Sequence, residues 1–545
     1  MSVNPDAGAP TSTAPSTSGT FDEAARSQST RQSATVDRFR SILFLEEREP
    51  ADSVSEPEFF PDLYLDQVVA SVTAPYDEYH LRPFFYALPR TPTVIEYRQE
   101  IFQDLENPAI VDPIRTFAGQ LTTMRQQLAD ANKRYYPRQK QWGIVASVET
   151  YCLAIESLTQ GLESAPVASS GLKSFRDYLV AYQGSDTFQS LMKETRDLQV
   201  SLRQVSYRLE LRDARIDVSR DIPELDYSEI VERTFAKFRQ REERDYQFEL
   251  PDSPDMDHVE AAVLDLVAQL HPATFQALEA YCGRRRNFVD DVIADFDREV
   301  HFYLGYLAHI HRLRRSGLSF CYPEVSTESK EIECREAFDL ALAERLVEGV
   351  RGVVSNDLVL NESERVIVVS GANQGGKTTF ARMCGQLHYL GRLGCPVPGK
   401  VARLWFFDQI FTHFEREEDL RTLHSKLEDD LTRIQAILER ATSRSLLIMN
   451  ESFSSATLHD ALLLSREIMR RIVAKDLICI FVTFLDELAS FGPSTVSMTS
   501  MVDQQNLTRR TFKVIRRPAD GLAYAMALAA KHGLTYEGLM QRLGA

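Results

Sequence analysis

Lysine followed by threonine at the end of a glycine-rich turn can hold a polyphosphate and its metal ion, and Lys377-Thr378 stand at such a place. Gly371-Ala372-Asn373-Gln374-Gly375-Gly376 precede them and Thr379 follows, a spacing that fits G-x-x-x-x-G-K-[ST]. Glycines let the backbone curl so that successive N–H groups point inward as an anion nest, and a helix beginning at the lysine adds its positive end. Lys377 would reach the β- and γ-phosphates as a point charge, and Thr378 would ligate Mg²⁺. The bland alternative is a glycine turn that matches by chance. The flanks argue against it: Val366-Ile367-Val368-Val369 reads as a buried strand, and Phe380 to Tyr389 is helix-compatible, giving strand, loop, helix.

Nucleotide chemistry at such a loop needs a second strand ending in acidic groups. Leu446-Leu447-Ile448-Met449 runs into Asn450-Glu451, and polar residues at the carboxyl end of a parallel strand sit where ligands bind. Glu451 is the candidate general base for an attacking water. Asn450 takes the place usually held by a Mg²⁺-binding aspartate. Its amide can bond a metal-bound water but brings no charge, so Mg²⁺ affinity is expected to be lower.

These residues must be positioned by a chain of 545 residues, enough for two to four domains, with 43% hydrophobic content to build their cores. The formal net charge of -17 excludes a protein coated in positive charge, so any DNA contact must come from local basic patches. The seven cysteines show no C-x-x-C and no metal-like spacing, and read as reduced thiols of a cytoplasmic protein. No metal beyond Mg²⁺ with nucleotide is suggested. No export signal and no apolar run of membrane-spanning length is seen.

Residues 1–38 are too rich in Ser, Thr, Ala, Pro, Gly and Gln to offset the entropy of ordering, and read as a disordered tail. From about Leu63 to Leu128 helical patterns alternate with proline breaks. Gln141–Leu162 and Gly171–Leu198 read as long amphipathic helices. Then the period changes: Val205, Tyr207, Leu209 and Leu211 alternate with Ser206, Arg208, Glu210 and Arg212, and Asp213-Ala214 can turn the chain before Ile216 and Val218, a two-stranded hairpin. Helical patterns resume at 227–248 and at 256–318, the latter interrupted near Pro272. From about Tyr322 the pattern is α/β, with strands expected at 365–370, 403–407, 445–450 and 478–483, and helices after Ala519.

The second half, roughly Val353 to Leu543, resembles the MutS family of DNA mismatch-repair ATPases. GANQGGKTTF is similar to that family's phosphate loop. FFDQIFTHFEREEDLRTLHSKLEDDL resembles a region in which Asp408, Phe411 and Thr412 match and Ser425 falls on the signature serine that reaches the neighbouring subunit's nucleotide. ILERATSRSLLIMNESFSSATLHDALLLS resembles the carboxylate strand and its following loop, with Asp460 matching, and FVTFLDEL resembles the switch. The resemblance implies an ABC-like α/β P-loop ATPase domain over 326–545, ATP and Mg²⁺ as ligands, Asn356 beside the adenine, and a homodimer with composite sites. It implies, less specifically, a mostly α-helical core, lever and clamp region over 39–325.

The departures from the family pattern bear on turnover. Besides Asn450, the switch histidine is Phe484, the adenine-stacking aromatic is Val353, and Ser425 lacks its usual neighbours. Loss of the charge and of a polar switch group acts at hydrolysis, whereas the loop residues remain for binding. The chain is therefore expected to bind ATP and to hydrolyse it slowly, by about 10²-fold or more below an intact site.

In the clamp region, Arg208, Arg212, Arg215, Arg220 and the run Arg284-Arg285-Arg286 are candidates for DNA phosphate contacts, as is the basic stretch 233–241. The competing reading makes them surface arginines paired with acids such as Glu210 and Asp217. No stretch ahead of the core matches the family's mismatch-reading domain, so the expected substrate is a structured or branched duplex in repair or recombination. The other reading is a nucleotide-gated protein scaffold with little or no ATP hydrolysis and no direct DNA role.

Overall fold

From residue 320 onward the described strands belong to three sheets, one of them only the short pair Phe320–Cys321 and Val397–Pro398, in a computed structural model that covers residues 39–45, 54–212, 215–220, 256–348, 352–415, 426–503, 510–519 and 534–535. The expected tail 1–38, the turn Asp213-Ala214, the helix 227–248 with its basic stretch 233–241, Ser425 and nearly all of the C-terminal helices lie outside the described residues. The seven cysteines are free thiols, six of them buried. Among the described residues no helix is long and apolar enough to cross a membrane.

The first half is helical. Pro108–Lys133 starts behind Asn107, whose side chain accepts from Ala109 N, and packs along Pro137–Ser164. Ile110, Ile114, Phe117, Leu121 and Met124, spaced by three and four, form its buried stripe. Close approach is purchased by small residues: a Cβ on Gly143 would sit 2.6 Å from Ala131 Cβ, and one on Gly161 2.6 Å from Pro113 Cβ. The segment Gly171–Leu198, expected as one helix, is two, Ser170–Gln183 and Asp186–Arg203. Ser185 caps the second by accepting from Phe188 N, which stops the first at Gly184.

The expected hairpin is present as β1 (Tyr207–Arg212) and β2 (Arg215–Arg220), antiparallel with Leu209 opposite Val218. Helices His258–Leu270, Pro272–Arg284 and Asp291–Arg314 follow. The break at His271-Pro272 is where the sequence places it.

In the second half β3 (Phe320–Cys321), β4 (Glu324–Ser326), β5 (Ile332–Ala337) and β6 (Asn356–Leu360) precede β7 (Val366–Gly371). After the helix Lys377–Arg392 come β8 (Val397–Pro398), β9 (Val401–Trp405), β10 (Ile410–Phe414), β11 (Leu446–Asn450), β12 (Ile478–Val482), β13 (Thr495–Val502) and β14 (Arg510–Arg516). The main sheet has the order β10-β11-β12-β7-β13-β14, parallel throughout except for the antiparallel edge strand β14. A smaller sheet, β4-β9-β5-β6, stands beside it.

Both faces of the main sheet are covered, which is why its central strands are continuous apolar runs. Leu447 and Met449 pack with Ile434, Leu438, Met469 and Ile472 of the helices Lys426–Arg440 and Leu458–Ala474. On the other face Ile448 meets the helix Lys377–Arg392, where a Cβ on Gly385 would lie 2.6 Å from Leu63 Cδ1 and 2.8 Å from Ile448 Cδ1.

The helical half is fastened to that same helix across the boundary expected near residue 325. Gln386 Nε2 donates to Leu63 O and Asp339 Oδ1, Tyr389 Oη to Phe85 O, and Arg392 to Pro89 O. Arg98, fully buried, donates to Leu43 O and Leu393 O. Gly385→Val is expected to destabilise the chain by about 1–3 kcal/mol through overpacking, read as a fall in urea midpoint with an unchanged slope.

Candidate nucleotide site

β7 ends at Gly371, and the turn that follows demands glycine. Gly371 and Gly376 have φ of 102° and 93°, in the left-handed region that side chains rarely adopt. A Cβ on Gly375 would lie 2.6 Å from Ser500 Oγ and 2.8 Å from Ala372 O. The loop is closed by Gly375 N donating to Ala372 O at 3.1 Å, and Gln374 takes φ of 59° between them. The helix begins at Lys377 with Gly376 as N-cap and no side-chain cap, so its first turn, including Thr378 and Thr379, presents N–H donors as an anion requires.

Lys377 is 3% exposed at its side chain; its ammonium donates to Gly371 O at 3.0 Å and to Asn373 Oδ1 at 3.2 Å. Burial pushes the ammonium below the usual lysine value, while the charges of Glu451 and Asp486 hold it part of the way up. The nearest acid oxygen, Glu451 Oε1, is 4.0 Å away, too far for a hydrogen bond, so the ammonium's donors rest on Gly371 O and Asn373 Oδ1, neutral acceptors that a phosphate oxygen would displace.

The sheet order puts β12 between β7 and β11, yet the two carboxyl ends converge. Thr378 Oγ1 donates to Asn450 Oδ1 at 2.9 Å, so the two residues expected to bind Mg²⁺ are side by side. Glu451 leaves the strand with φ of 53° and Phe453 follows with φ of 63°, while Glu451 N donates to Val482 O at 3.0 Å. Left-handed non-glycine residues store strain, and here they turn the Glu451 carboxylate toward Lys377. Asn450→Asp, which adds the missing charge, is expected to lower the Mg²⁺ concentration for half-maximal hydrolysis about tenfold and to raise the rate by a similar factor. A Mg²⁺ titration of phosphate release checks it.

Asn356, expected beside the adenine, is instead committed to the edge strand. Its carbonyl accepts from Val514 N at 2.7 Å and its amide donates to Phe512 O at 3.2 Å. The side chain is buried between β6 and β14, so it positions Phe512, whose Cα lies 3.6 Å from where a Cβ on Gly376 would be. Ser500 on β13 and Arg510 on β14, which donates to Asn373 O at 3.0 Å, also back the loop. None of these three was legible, because strands rich in Ser, Thr and Arg read as loop.

Phe484 is 43% exposed just beyond β12, whose following residue Thr483 donates from its N–H to Val369 O at 3.0 Å. Asp460 sits in the first turn of Leu458–Ala474 and is paired with Thr457.

The candidate DNA-contacting arginines are distributed differently from the phosphate loop. Arg212 pairs with Glu210 at 2.6 Å and Arg215 with Asp217 at 2.8 Å, each on its own strand of the hairpin. Arg220 donates to Leu270 O at 3.1 Å. Arg284 and Arg285 share Glu194, whose carboxyl is held below its usual range by those two guanidinium groups against the opposing effect of burial. Arg208 lies on β1 and Arg286 is exposed beyond the helix end.

A family model described as MutS domain V matches residues 367–535, and one described as MutS2 N-terminal domain matches residues 90–316. DNA mismatch repair protein MutS of Fervidobacterium nodosum is 26% identical over 269 residues, covering 48% of this chain and 31% of that protein. DNA mismatch repair protein MutS of Ruminiclostridium cellulolyticum is 31% identical over 224 residues, covering 39% and 25%. DNA mismatch repair protein MSH3 of Eremothecium gossypii is 30% identical over 138 residues, covering 25% and 13%. The chain thus spans less than a third of the length of each of these relatives.

Proposed function

The chain belongs to the MutS family, and from that premise we propose that it is an ATP-dependent DNA-binding protein, a homodimeric clamp on structured or branched duplex that serves repair or recombination. The observation that carries this reading is the convergence of Lys377, Thr378, Asn450 and Glu451 at one end of the main sheet. The residues fit a triphosphate with its metal ion. Gly371 to Gly376 would surround the phosphates with N–H donors, Lys377 would neutralise them, and Thr378 with Asn450 would hold Mg²⁺. Bound Mg²⁺ supplies charge neutralisation along the phosphates. Glu451 would accept the proton of the attacking water. The ABC-like P-loop assignment of 326–545 and the helical lever and clamp assignment of 39–325 belong to this proposal.

Exposed apolar side chains near the site support the dimer. Phe512, packed beside Gly376, is 49% exposed and Phe484, just beyond β12, 43% exposed, apolar surface that a second copy would cover. Ser425 is proposed to complete the partner's site.

The arginine pairs do not bar DNA. Exposed ion pairs are worth about 0–1 kcal/mol, so Arg212, Arg215 and Arg284 can exchange carboxylate for phosphate at little cost. Those same pairs, with the net charge of -17, favour the second reading, a nucleotide-gated protein scaffold. Fluorescence anisotropy with four-way junction and linear duplex, with and without ATP and Mg²⁺, separates the two. A slope of about -3 or steeper in log K against log salt, with preference for the junction, is expected. No binding to either at low salt would discard the clamp in favour of the scaffold.

A further inference from the structure

Just past the carboxylate strand, the chain is fastened in a manner that holding a phosphate does not require. Ser452 Oγ lies 2.9 Å from His413 Nδ1, and His413 Nε2 lies 3.3 Å from Asp430 Oδ1. Ser452, His413 and Asp430 are 4%, 0% and 5% exposed. Two residues on, Ser454 Oγ donates to Glu415 Oε1 at 2.7 Å, and Lys426 Nζ reaches the same oxygen at 2.5 Å. The turn carrying Glu451 is thus tied twice, through β10 and the residue after it, to the first two turns of the helix Lys426–Arg440.

Hydrogen-bond chemistry sets the direction of the buried row. A carboxylate accepts, so His413 Nε2 carries a proton toward Asp430, and in the neutral ring Nδ1 then accepts from the Ser452 hydroxyl. The second link is half made. The 3.3 Å approach is too poorly aligned to count as a hydrogen bond, which leaves the Nε2–H buried without an aligned partner. Burying such a donor is unfavourable, and a small movement of Lys426–Arg440 would give it an aligned acceptor. Serine, imidazole and carboxylate in a row also describe a hydrolytic nucleophile, but burial closes this serine to substrate.

We propose that His413 is a positioning residue for Glu451: through Ser452 and Asp430 it makes the place of that carboxylate and the place of the helix Lys426–Arg440 interdependent. The inference rests on the nucleotide reading above. Nucleotide that orders the Glu451 turn aligns the His413–Asp430 link and steadies the helix, which begins one residue after Ser425. The left-handed backbone at Glu451 and Phe453 gives the turn a strained geometry that such a tether can hold.

The test is amide hydrogen exchange of the full chain with and without the non-hydrolysable analogue AMP-PNP and Mg²⁺. In the wild type the analogue is expected to slow exchange in peptides from 426–440 by about threefold or more. In His413→Phe and Asp430→Leu that slowing is lost, while analogue affinity stays within about twofold and single-turnover hydrolysis falls about tenfold to 100-fold. Asp430→Asn, which keeps an acceptor, retains the slowing. Ser452→Ala removes one hydroxyl without disturbing the packing and carries the same expectation as His413→Phe, should the latter fail to fold. Slowing that persists in Ser452→Ala and Asp430→Leu overturns the relay, as does an analogue that binds the wild type without slowing the helix. An analogue that does not bind the wild type overturns the nucleotide reading, and the relay with it.

Discussion

Lys377→Met is expected to lose ATP affinity by about 10²–10³-fold, because the ammonium supplies two or more charge-assisted contacts to phosphate at about 1.5–3 kcal/mol each. The same substitution should leave the nucleotide-free chain as stable as the wild type, or more so. Lys377 is buried with its ammonium depressed below the usual lysine value, chiefly by desolvation. A lysine depressed by folding works against the fold wherever it is still charged. Between the lowered folded value and the ordinary one the unfolded chain binds more protons, so wild-type stability rises with pH in that window. The methionine chain lacks that rise. Melting curves from neutral to alkaline pH, with and without ATP, check both halves: the ATP-induced shift disappears, and the pH-dependent gain disappears with it. A variant that still shows the full ATP-induced shift would remove Lys377 from the phosphates.

Glu451→Gln is expected to reduce single-turnover hydrolysis by about 10²–10⁴-fold and to leave nucleotide affinity within about threefold. The carboxylate stands 4.0 Å from the Lys377 ammonium on a left-handed turn, and it is proposed to act on the water and not to hold phosphate. Glutamine keeps the shape and loses the proton acceptor, so the effect separates base catalysis from binding. Because the uncharged Asn450 is expected to slow turnover, the wild-type rate must be measured with enzyme in excess of ATP. Equal rates for the two chains would strike Glu451 from the mechanism.

What the sequence revealed divides along burial. β7, β11 and β12 are covered on both faces and appear as unbroken apolar runs, and the glycines of the loop are demanded by its backbone angles, so this part of the site was legible residue by residue. The hairpin was legible because alternation of apolar and charged residues over six positions has one reading. β13 and β14 were not, since Thr495 to Val502 and Arg510 to Arg516 carry Ser, Thr and Arg at the positions that back the phosphate loop. The stop at Gly184 was marked by Ser185 as a cap, a signal overridden by the longer apolar period on either side. Asn356 was placed by resemblance alone, and its amide serves the edge strand. The row Ser452, His413 and Asp430 comes from three separate elements, and no spacing rule brings such residues together.

The seam along Lys377–Arg392 has a practical consequence for anyone dividing this polypeptide. The helix that opens the phosphate loop closes its buried face on Leu63, Phe85, Pro89 and Arg98, residues some three hundred positions away. A fragment cut to start at residue 326 would open that apolar face to water and take from Gln386 and Arg392 the carbonyls of Leu63 and Pro89. Grafts between relatives should accordingly exchange the stretch 57–105 together with the nucleotide half, since those two pieces share one hydrophobic interior although most of the helical half lies between them in the chain.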